Sequence, residues 1–393
     1  MITLAQAQEQ LLGMAPPLGA ESVAVTEAAG RYLAATAFAG RTQPAADLSA
    51  MDGYAMRHDD LAGPWRVAGE SAAGHPYAAP LRPGESVRVS TGALLPLGAG
   101  AVLLQEDARR DGDTLHIGRE AAPSPRHIRR AGFDFRAGDP LLEPGVLLDP
   151  ASIALLLSGG HAMVEVGRRP ALAILDSGDE LSTNPESCAP HQIPASNGAM
   201  LAAMAAPLAR SVRRIGPLPD RLDALLAGLT QAEGAGVLVT SGGASVGDHD
   251  LLRPALEQWG AEIAFWRVAM KPGKPVLVAR RGSQIILGLP GNPVSSYVTA
   301  FLLLLPLLRR LGGACSDAVL PRRFCAVLEQ TLPAIGARQE FVRGSFRDNK
   351  VAPLTEQDSS ALRSLAAANV LIERQPHSQA AAPGEHVWCF LLE

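Results

Sequence analysis

The sequence predicts a multidomain α/β protein: a central α/β domain with a mostly parallel sheet, flanked by a helical linker domain, an inserted β-rich module and a small C-terminal β domain. A chain of 393 residues is too long for one ordinary hydrophobic core. Within residues 169–313, hydrophobic runs alternate with helical stretches, which is typical of βαβ units. Residues 41–126 and 314–393 instead contain short β-like runs separated by turn residues. The linker domain is predicted to be discontinuous, comprising residues 1–40 plus 127–168.

Two helices are predicted in the linker domain. Thr3 followed by Gln6 has the spacing of a capping box, so a helix is expected to begin there. A second helix is expected to begin at Pro150 and to end at the glycine pair 159–160. We expect these two helices to pack on each other.

Composition excludes several classes of protein. Apolar residues make up 47% of the chain and charged residues 19%, a balance that favours a globular fold over disorder. The formal net charge is −4 and no long Lys/Arg block occurs, so we expect no nucleic-acid partner. The four cysteines are scattered and form no C-x-x-C pair, which argues against a zinc site or a disulfide framework and favours a reducing, cytoplasmic location.

Neither export nor a membrane span is expected. The capping-box start differs from the basic and then apolar pattern of a signal peptide. The most apolar window, residues 297–308, has only about half of the ~20 residues that a spanning helix needs and contains Pro306. We interpret it as a buried core helix.

The segment 240–250, TSGGASVGDHD, follows a buried hydrophobic run. Glycines and serines between a strand and a helix allow backbone N–H groups to approach a phosphate, and the helix N-terminus adds partial positive charge. The segment is therefore predicted to be an anion-binding cradle, although it is not a Walker A motif. Asp248 and Asp250 beside it suggest a divalent metal between carboxylate and phosphate. The alternative is that Asp248 merely caps the helix.

A second loop, residues 176–180, carries three carboxylates in the sequence DSGDE at the end of another predicted strand. Clustered acids are costly unless they are solvated or neutralised, so metal or hydroxyl binding is favoured over an ordinary turn. Ser196 and Asn197 then open a helix. Asn197 is either a helix cap, which is the default, or a ligand contact.

Two proline-framed loops complete the predicted sheet edge. Lys271 and Lys274 are held three residues apart by prolines, which favours a positive pocket for an oxyanion over a solvated surface turn. The loop LPGNP at 289–293 leads into the long apolar helix and supplies a tight backbone approach. Because parallel strands end at one edge of a sheet, these loops are expected to surround one site.

Some other motifs do not indicate a function when each is considered by itself. The sequences SAMDGYA and STGALLP, with Asp52 and Thr91, fit plain hairpin turns. Arg343 and Ser360, in the C-terminal domain, say little by themselves.

Taken together and in order, these motifs resemble the molybdopterin molybdenumtransferases, the MoeA proteins that share their fold with the gephyrin E domain. The resemblance extends to about residue 372, and it rests on SAMDGYA, STGALLP with its downstream ED, GFDFRAGD, DSGDEL, TSGGASVGDHD, AMKPGKP, LPGNPVS, FVRG and SSALRSLAAAN. It implies four domains and an elongated homodimer, with a cleft completed by the inserted module of the other subunit.

The resemblance also implies site residues. Those expected to bind the pterin phosphate are Asp179, Ser196, Asn197, Ser241, Gly242, Gly243, Ser245, Gly247, Pro290, Gly291, Asn292 and Pro293. The expected Mg²⁺ ligands are Glu180, Asp248 and Asp250, and the expected molybdate pocket comprises Lys271, Lys274, Arg343 and Ser360. Catalytic roles are expected for Asp52, Thr91, Asp134, Glu180, Asp250, Lys271 and Lys274.

The chain departs from the family pattern at three places. Asp176-Ser177 stands where relatives usually have Ser-Thr, and Phe133 replaces an acid. Residues 214–219 stand where relatives usually carry an acidic pair, which leaves Asp220 as the nearest carboxylate.

The function implied by the resemblance is Mg²⁺-dependent insertion of molybdate into adenylylated molybdopterin with release of AMP. Two alternatives stay open, an adenylyltransferase that makes this intermediate and a non-catalytic scaffold with the same fold. An upstream adenylyltransferase and molybdoenzyme chaperones are possible partners.

Overall fold

The computed structural model describes residues 1–118, 121–242 and 251–392. The chain begins with α1 (Leu4–Gly13), β1 (Ala20–Ala24) and β2 (Ala37–Phe38). The predicted capping box is confirmed at the start of α1. The Gln6 backbone N–H donates to Thr3 Oγ1 at 3.2 Å, and the Thr3 N–H donates to Gln6 Oε1 at 3.0 Å.

The inserted module is rich in strands, as predicted. Its strands are β3 (Leu48–Ser49), β4 (Gly53–Arg57), β5 (Trp65–Ser71), β6 (Glu85–Val89), β7 (Ala99–Leu104), β8 (Ala108–Asp111) and β9 (Thr114–Ile117). Six of them form one sheet in the order β7-β4-β6-β5-β9-β8. Successive residues of β4 enter different hydrophobic clusters, because alternate side chains of a strand point to opposite faces of its sheet.

The chain then returns to the linker domain through β10 (Ile128–Arg129), β11 (Pro140–Leu142), α2 (Pro150–Ser158) and β12 (Met163–Gly167). The bounds of α2 agree with the prediction, since Pro150 is its first residue and Gly159 its C-cap. β12 pairs antiparallel with β1. This pairing joins one strand from each of the two segments that are predicted to form the linker domain.

The central domain contains a six-stranded sheet between two hydrophobic clusters. Strands in the order β16-β13-β17-β21 are parallel, whereas β20 and β18 extend the sheet antiparallel, so the prediction of a mostly parallel sheet is confirmed. The elements are β13 (Ala171–Ser177), β14 (Leu181–Ser182), β15 (Ile193–Pro194), α3 (Asn197–Ala205), β16 (Ser211–Leu218), α4 (Leu222–Gln231), β17 (Val237–Ser241), α5 (Leu252–Gln258), β18 (Glu262–Trp266), β19 (Met270–Lys271), β20 (Leu277–Arg281), β21 (Gln284–Leu289), α6 (Pro293–Thr299), α7 (Leu305–Leu311) and α8 (Ser316–Val319).

Helices α6 and α7 are continuous through a π-helical segment, Ala300–Leu304. The resulting helix, Pro293–Leu311, is long and apolar enough to cross a membrane by length and composition alone. However, 78% of its 18-residue apolar window is buried inside the fold, where the helix packs in the larger cluster of the central domain. Such burial is typical of a core helix, in agreement with the prediction for residues 297–308.

The expected packing of α2 on α1 is wrong. The buried side chains of α1, Leu4, Ala7 and Leu11, lie in the hydrophobic cluster of the central domain, and α1 contacts α7. Leu156 of α2 lies in a separate cluster with residues of the linker domain. An amphipathic stripe predicts that a helix is packed, but it does not identify the surface on which the helix packs.

The C-terminal domain contains a third six-stranded sheet among the described residues, in the order β19-β23-β24-β22-β26-β25. It is formed by β22 (Arg323–Leu328), β23 (Gln339–Arg347), β24 (Lys350–Pro353), β25 (Val370–Arg374) and β26 (His386–Leu391), with α9 (Leu362–Ala367) between β24 and β25. β19 leaves the central domain and pairs parallel with β23, placing Lys271 opposite Glu340. The two domains are therefore joined by backbone pairing.

Leu11→Ala tests the position of α1. Leu11 is fully buried in the central core, so truncation should lower the free energy of unfolding by about 2–5 kcal/mol. Urea denaturation would measure the loss. Glu9→Ala, on the exposed side of α1, should change it by no more than about 0.5 kcal/mol. Equal effects of the two substitutions would contradict this packing.

Candidate functional site

A cavity of about 760 Å³ lies at the carboxyl ends of β13, β17 and β21. Ends of parallel strands are where α/β sheets usually bind ligands. The cavity brings together ten of the residues singled out from the sequence: Glu180, Ser196, Asn197, Ser241, Gly242, Pro290, Gly291, Asn292, Pro293 and Ser360.

The loops after β17 and β21 pack backbone against backbone. Gly242 has φ +99°, and a Cβ there would lie 2.6 Å from the carbonyl oxygen of Ser177. A Cβ on Gly291 would lie 3.6 Å from the Gly242 Cα. A side chain at Gly242 would therefore be strained and would push the loops apart, so glycine is required for this close approach.

Asn197 cross-links three of the loops. Its Nδ2 donates to Ser241 Oγ at 2.9 Å and to the Gly291 carbonyl oxygen at 2.7 Å. Asn197 is the first residue of α3, and the N-cap position belongs to Ser196. The default expectation that Asn197 caps the helix is therefore wrong, because its amide is used between loops.

Arg343 shapes the loop that enters the cavity from the C-terminal domain. The residue is 1% exposed, and burial lowers the pKa of its guanidinium. Its nitrogens donate to three backbone carbonyl oxygens of that loop: Nη1 to Ala361 at 3.3 Å, and Nη2 to Glu356 at 3.0 Å and Asp358 at 2.9 Å. The guanidinium of Arg343 therefore stabilises the backbone conformation of this loop.

The same loop docks on the start of α6. The Ser359 carbonyl oxygen accepts from the Val294 N–H at 3.1 Å, and Ser359 Oγ accepts from Asn292 Nδ2 at 2.9 Å. The neighbouring Ser360 lines the cavity and donates from Oγ to Asp358 Oδ1 at 2.6 Å. Ser360 therefore faces the cavity, whereas Arg343 contacts the backbone of the same loop and does not line the described cavity.

The two lysines have different environments. Lys271 Nζ lies 3.2 Å from Glu340 Oε1, an ion pair that follows from the pairing of β19 with β23. Lys274 is exposed and has no ion pair within the described parts of the chain. Neither lysine lines the described cavity, although the adjacent Pro275 does.

Carboxylates crowd one side of the cavity. Glu180 and Asp220 line it, and Asp179 Oδ1 accepts from the Asp220 backbone N–H at 3.1 Å. Burial raises the pKa of Asp220, and the negative charges of Asp179 and Glu180 raise it further. This crowding favours a bound cation.

The magnesium site stays a prediction. Within residues 1–118, 121–242 and 251–392, no three acidic, histidine or cysteine side chains form a group suited to a metal ion. The predicted ligands Asp248 and Asp250 lie outside the described residues, as do Gly243, Ser245 and Gly247.

Asp176, the first acid of the loop 176–180 for which the sequence favours metal or hydroxyl binding, lines the cavity. It is 3% exposed at the end of β13, and burial raises the pKa of its carboxyl to about 6, although the charge of Arg214 and the Gly198 backbone N–H act in the opposite direction. Its Oδ1 has no hydrogen-bond partner in the described structure. The sequence shows that three acids lie close together in residues 176–180, but it does not show that the first of them is buried.

The inserted module has a small polar cluster of its own. Asp52 Oδ1 accepts from the Thr91 backbone N–H at 2.7 Å and from its hydroxyl at 3.1 Å, and these bonds lower the pKa of Asp52. Asp134 is also exposed, and its N–H donates to the Gln43 carbonyl oxygen. The structure brings Asp52 and Thr91 together, but none of these three predicted residues lines the described cavity.

Three family models match successive parts of the chain. They are the MoeA N-terminal region (domain I and II) over residues 2–160, a probable molybdopterin binding domain over 173–310 and the MoeA C-terminal region (domain IV) over 326–392.

Individual proteins match over most of their length. A molybdopterin molybdenumtransferase of Haemophilus influenzae is 35% identical and covers 91% of this chain and 89% of its own. One from Bacillus subtilis is 31% identical, over 90% of this chain and 85% of its own. The crystal structure of a molybdopterin biosynthesis MoeA protein from Pyrococcus horikoshii OT3 aligns with a TM-score of 0.84 at 26% identity, covering 100% of both chains.

Asp176→Asn should show the energetic effect of the buried carboxylate. A folded-state pKa of about 6, above the unfolded value, means that the carboxylate destabilises the fold as pH rises through 6. The neutral variant should therefore be more stable than wild type by roughly 2–3 kcal/mol at pH 7.5, and the difference should shrink toward pH 4.5.

Urea denaturation at both pH values would measure this difference. Asp223→Asn, which removes an exposed carboxylate of α4, is the matched control and should show no such gain. A difference between wild type and Asp176→Asn that does not vary with pH would contradict the assignment.

Proposed function

Since this chain belongs to the MoeA family, we propose that it is a molybdopterin molybdenumtransferase, which inserts molybdate into adenylylated molybdopterin and releases AMP. The adenylyltransferase and scaffold alternatives are not favoured, because relatives that match about nine-tenths of the chain are named molybdopterin molybdenumtransferase.

The observation that carries this proposal is the convergence of separate loops on one cavity. Several of these loops come from the central domain, and another, with Ser360, comes from the C-terminal domain. The volume of about 760 Å³ lies within the range of about 300–1,000 Å³ that is usual for small-molecule sites. A substrate with a nucleotide and a pterin needs such a composite site.

The phosphates of the substrate are proposed to lie against the glycine loops. Gly242 and Gly291 allow close backbone approach, and the long helix Pro293–Leu311 begins at the cavity wall. The partial positive charge of its N-terminus would attract a phosphate. Asn197 keeps these loops at a fixed spacing.

The carboxylate side of the cavity suits Mg²⁺, which prefers hard oxygen ligands. We assign Glu180, Asp248 and Asp250 as ligands, the last two from the sequence alone. When bound, Mg²⁺ would neutralise charge on the phosphoanhydride as AMP departs. The protein's own part is to hold the anhydride between these acids and the glycine loops.

Molybdate is proposed to bind on the side of Lys271, Lys274 and Ser360. Lys274 is the better candidate contact of the two lysines, because Lys271 is paired with Glu340. Ser360 offers a hydroxyl at the cavity wall, and Arg343 would contribute by fixing the loop that carries it. A positive group here would concentrate molybdate beside the dithiolate sulfurs.

We also propose that the protein is a cytoplasmic homodimer, and that it receives its substrate from an upstream adenylyltransferase and delivers its product to molybdoenzyme chaperones. Asp52, Thr91 and Asp134 would complete the cavity of the partner subunit. Within one chain they do not line the described cavity, and a two-fold axis would bring the inserted module of one subunit to the cavity of the other.

The activity is tested by incubating purified protein with adenylylated molybdopterin, molybdate and Mg²⁺. We expect AMP release together with a cofactor that activates an apo-molybdoenzyme. Consumption of ATP with molybdopterin instead would identify an adenylyltransferase, and turnover of neither substrate would indicate a scaffold.

Lys274→Ala should raise the molybdate concentration that gives half-maximal cofactor formation, while leaving pterin affinity nearly unchanged. The lost interaction is a binding contribution, so high molybdate should partly restore activity. Titrating molybdate for wild type and variant measures the shift. Lys350→Ala removes an exposed lysine that pairs with Glu329 in the C-terminal domain and serves as the control. Coincident half-saturation points for wild type and Lys274→Ala would place molybdate elsewhere.

Mixing Asp52→Ala with Asp250→Ala protein tests the shared site. Each variant alone should be inactive, and heterodimers should regain activity, because one of their two cavities would contain both intact residues. AMP release from the mixture measures this recovery. If heterodimers form but stay inactive, each site is built within one chain.

A further inference from the structure

Several polar side chains of the cavity wall already have hydrogen-bond partners within the protein. Asn197 donates to Ser241, and Asn292 donates to Ser359. The Ser360 hydroxyl donates to Asp358. These groups hold the cavity in shape, and their principal hydrogen bonds are already made.

Asp176 differs from these residues. A Cβ on Gly198 would lie 2.1 Å from Asp176 Oδ2, which shows that Oδ2 sits against the backbone at the start of α3. Oδ1 is buried and has no partner among the described residues, although Asp176 lines the cavity. A buried carboxylate oxygen without a donor is costly, and a ligand that supplies a donor removes that cost.

A hydrogen-bond donor fits this position better than a phosphate. The carboxylate lies against the backbone at Gly198, and its negative charge would repel an anion. Apolar side chains of Leu181 and Leu225 line the same cavity and suit the face of a flat ring. Both features match a nitrogen heterocycle with an amino group at its edge.

We propose that Asp176 is a substrate-binding residue whose Oδ1 accepts a hydrogen bond from an N–H group of a substrate heterocycle. This inference rests on the proposed function, in which the substrate contains two such rings, pterin and adenine. Both carry an amino group beside a ring nitrogen, so both offer the required chemistry.

Asp176→Asn is an informative substitution because the Gly198 N–H still requires an oxygen acceptor. The asparagine would direct its Oδ1 to Gly198 and its NH₂ to the cavity, replacing an acceptor by a donor. The bond to α3 would be kept, so loss of binding would not be a consequence of unfolding. Asp176→Ser, which removes the carboxylate without adding bulk, is the second variant, and Asp223→Asn is the control.

The experiment measures binding of AMP and of molybdopterin separately, by calorimetry at pH 7.5, to the full-length wild type and to each variant. Loss of a charge-assisted hydrogen bond should weaken one of the two ligands about ten- to a hundredfold in both Asp176 variants. The ligand affected identifies the ring. Asp223→Asn should bind both ligands as wild type does.

Three outcomes would overturn the inference. Unchanged binding of both ligands by the Asp176 variants would show that Oδ1 receives no donor from either ring. Equal weakening of both would indicate a general disturbance of the cavity. An effect seen with Mg²⁺ but absent with a chelator would show that the oxygen holds a cation. Wild-type protein that binds neither ligand would instead refute the proposed function.

Discussion

The side-chain amide of Asn197 holds the cavity together. It joins the start of α3 to the loops that end β17 and β21, through bonds of 2.9 and 2.7 Å. The strands alone fix only where these loops leave the sheet, because parallel strands end at one edge. The amide also fixes how far apart the loops lie, which allows Gly242 and Gly291 to meet backbone against backbone. The close packing of these loops therefore requires both glycine at positions 242 and 291 and asparagine at position 197.

A second constraint comes from the C-terminal domain. Arg343 is buried and donates to backbone carbonyl oxygens of the loop that carries Ser360. A buried guanidinium is costly to desolvate, and hydrogen bonds to carbonyls recover part of that cost. These bonds stabilise the conformation of the loop. Ser359 of the same loop accepts a hydrogen bond from Asn292 at the start of α6. The cavity wall thus depends on contacts across two domains, and the β19–β23 pairing keeps those domains in register.

The fold was largely predictable from the sequence because its signals are local. Hydrophobic alternation indicated the strands, and the capping box at Thr3 and Pro150 with Gly159 marked helix ends. The cavity loops are predictable because glycine and proline determine the backbone conformation locally. Packing partners were not predictable in this way. The contact of α1 with α7 and the pairing of Lys271 with Glu340 join residues far apart in the chain, and no local pattern specifies them.

The strand register relates two of the departures from the family pattern. β13 and β16 are neighbours, and Ser177 pairs with Leu218, so the position that gains an acid, Asp176, lies beside the segment that lacks the usual acidic pair. Gly216 packs so closely there that a Cβ would lie 2.4 Å from the Asp176 carbonyl oxygen. Along the sequence, the chain gains one acid at position 176 and lacks the two acids that relatives usually carry within residues 214–219. In the fold, these changes leave a carboxylate at this edge of the sheet, but move it into a buried position where it is unsatisfied until a donor arrives. A solvated acid would tolerate an empty cavity at little cost, whereas a buried one ties the stability of this edge to the ligand that occupies it.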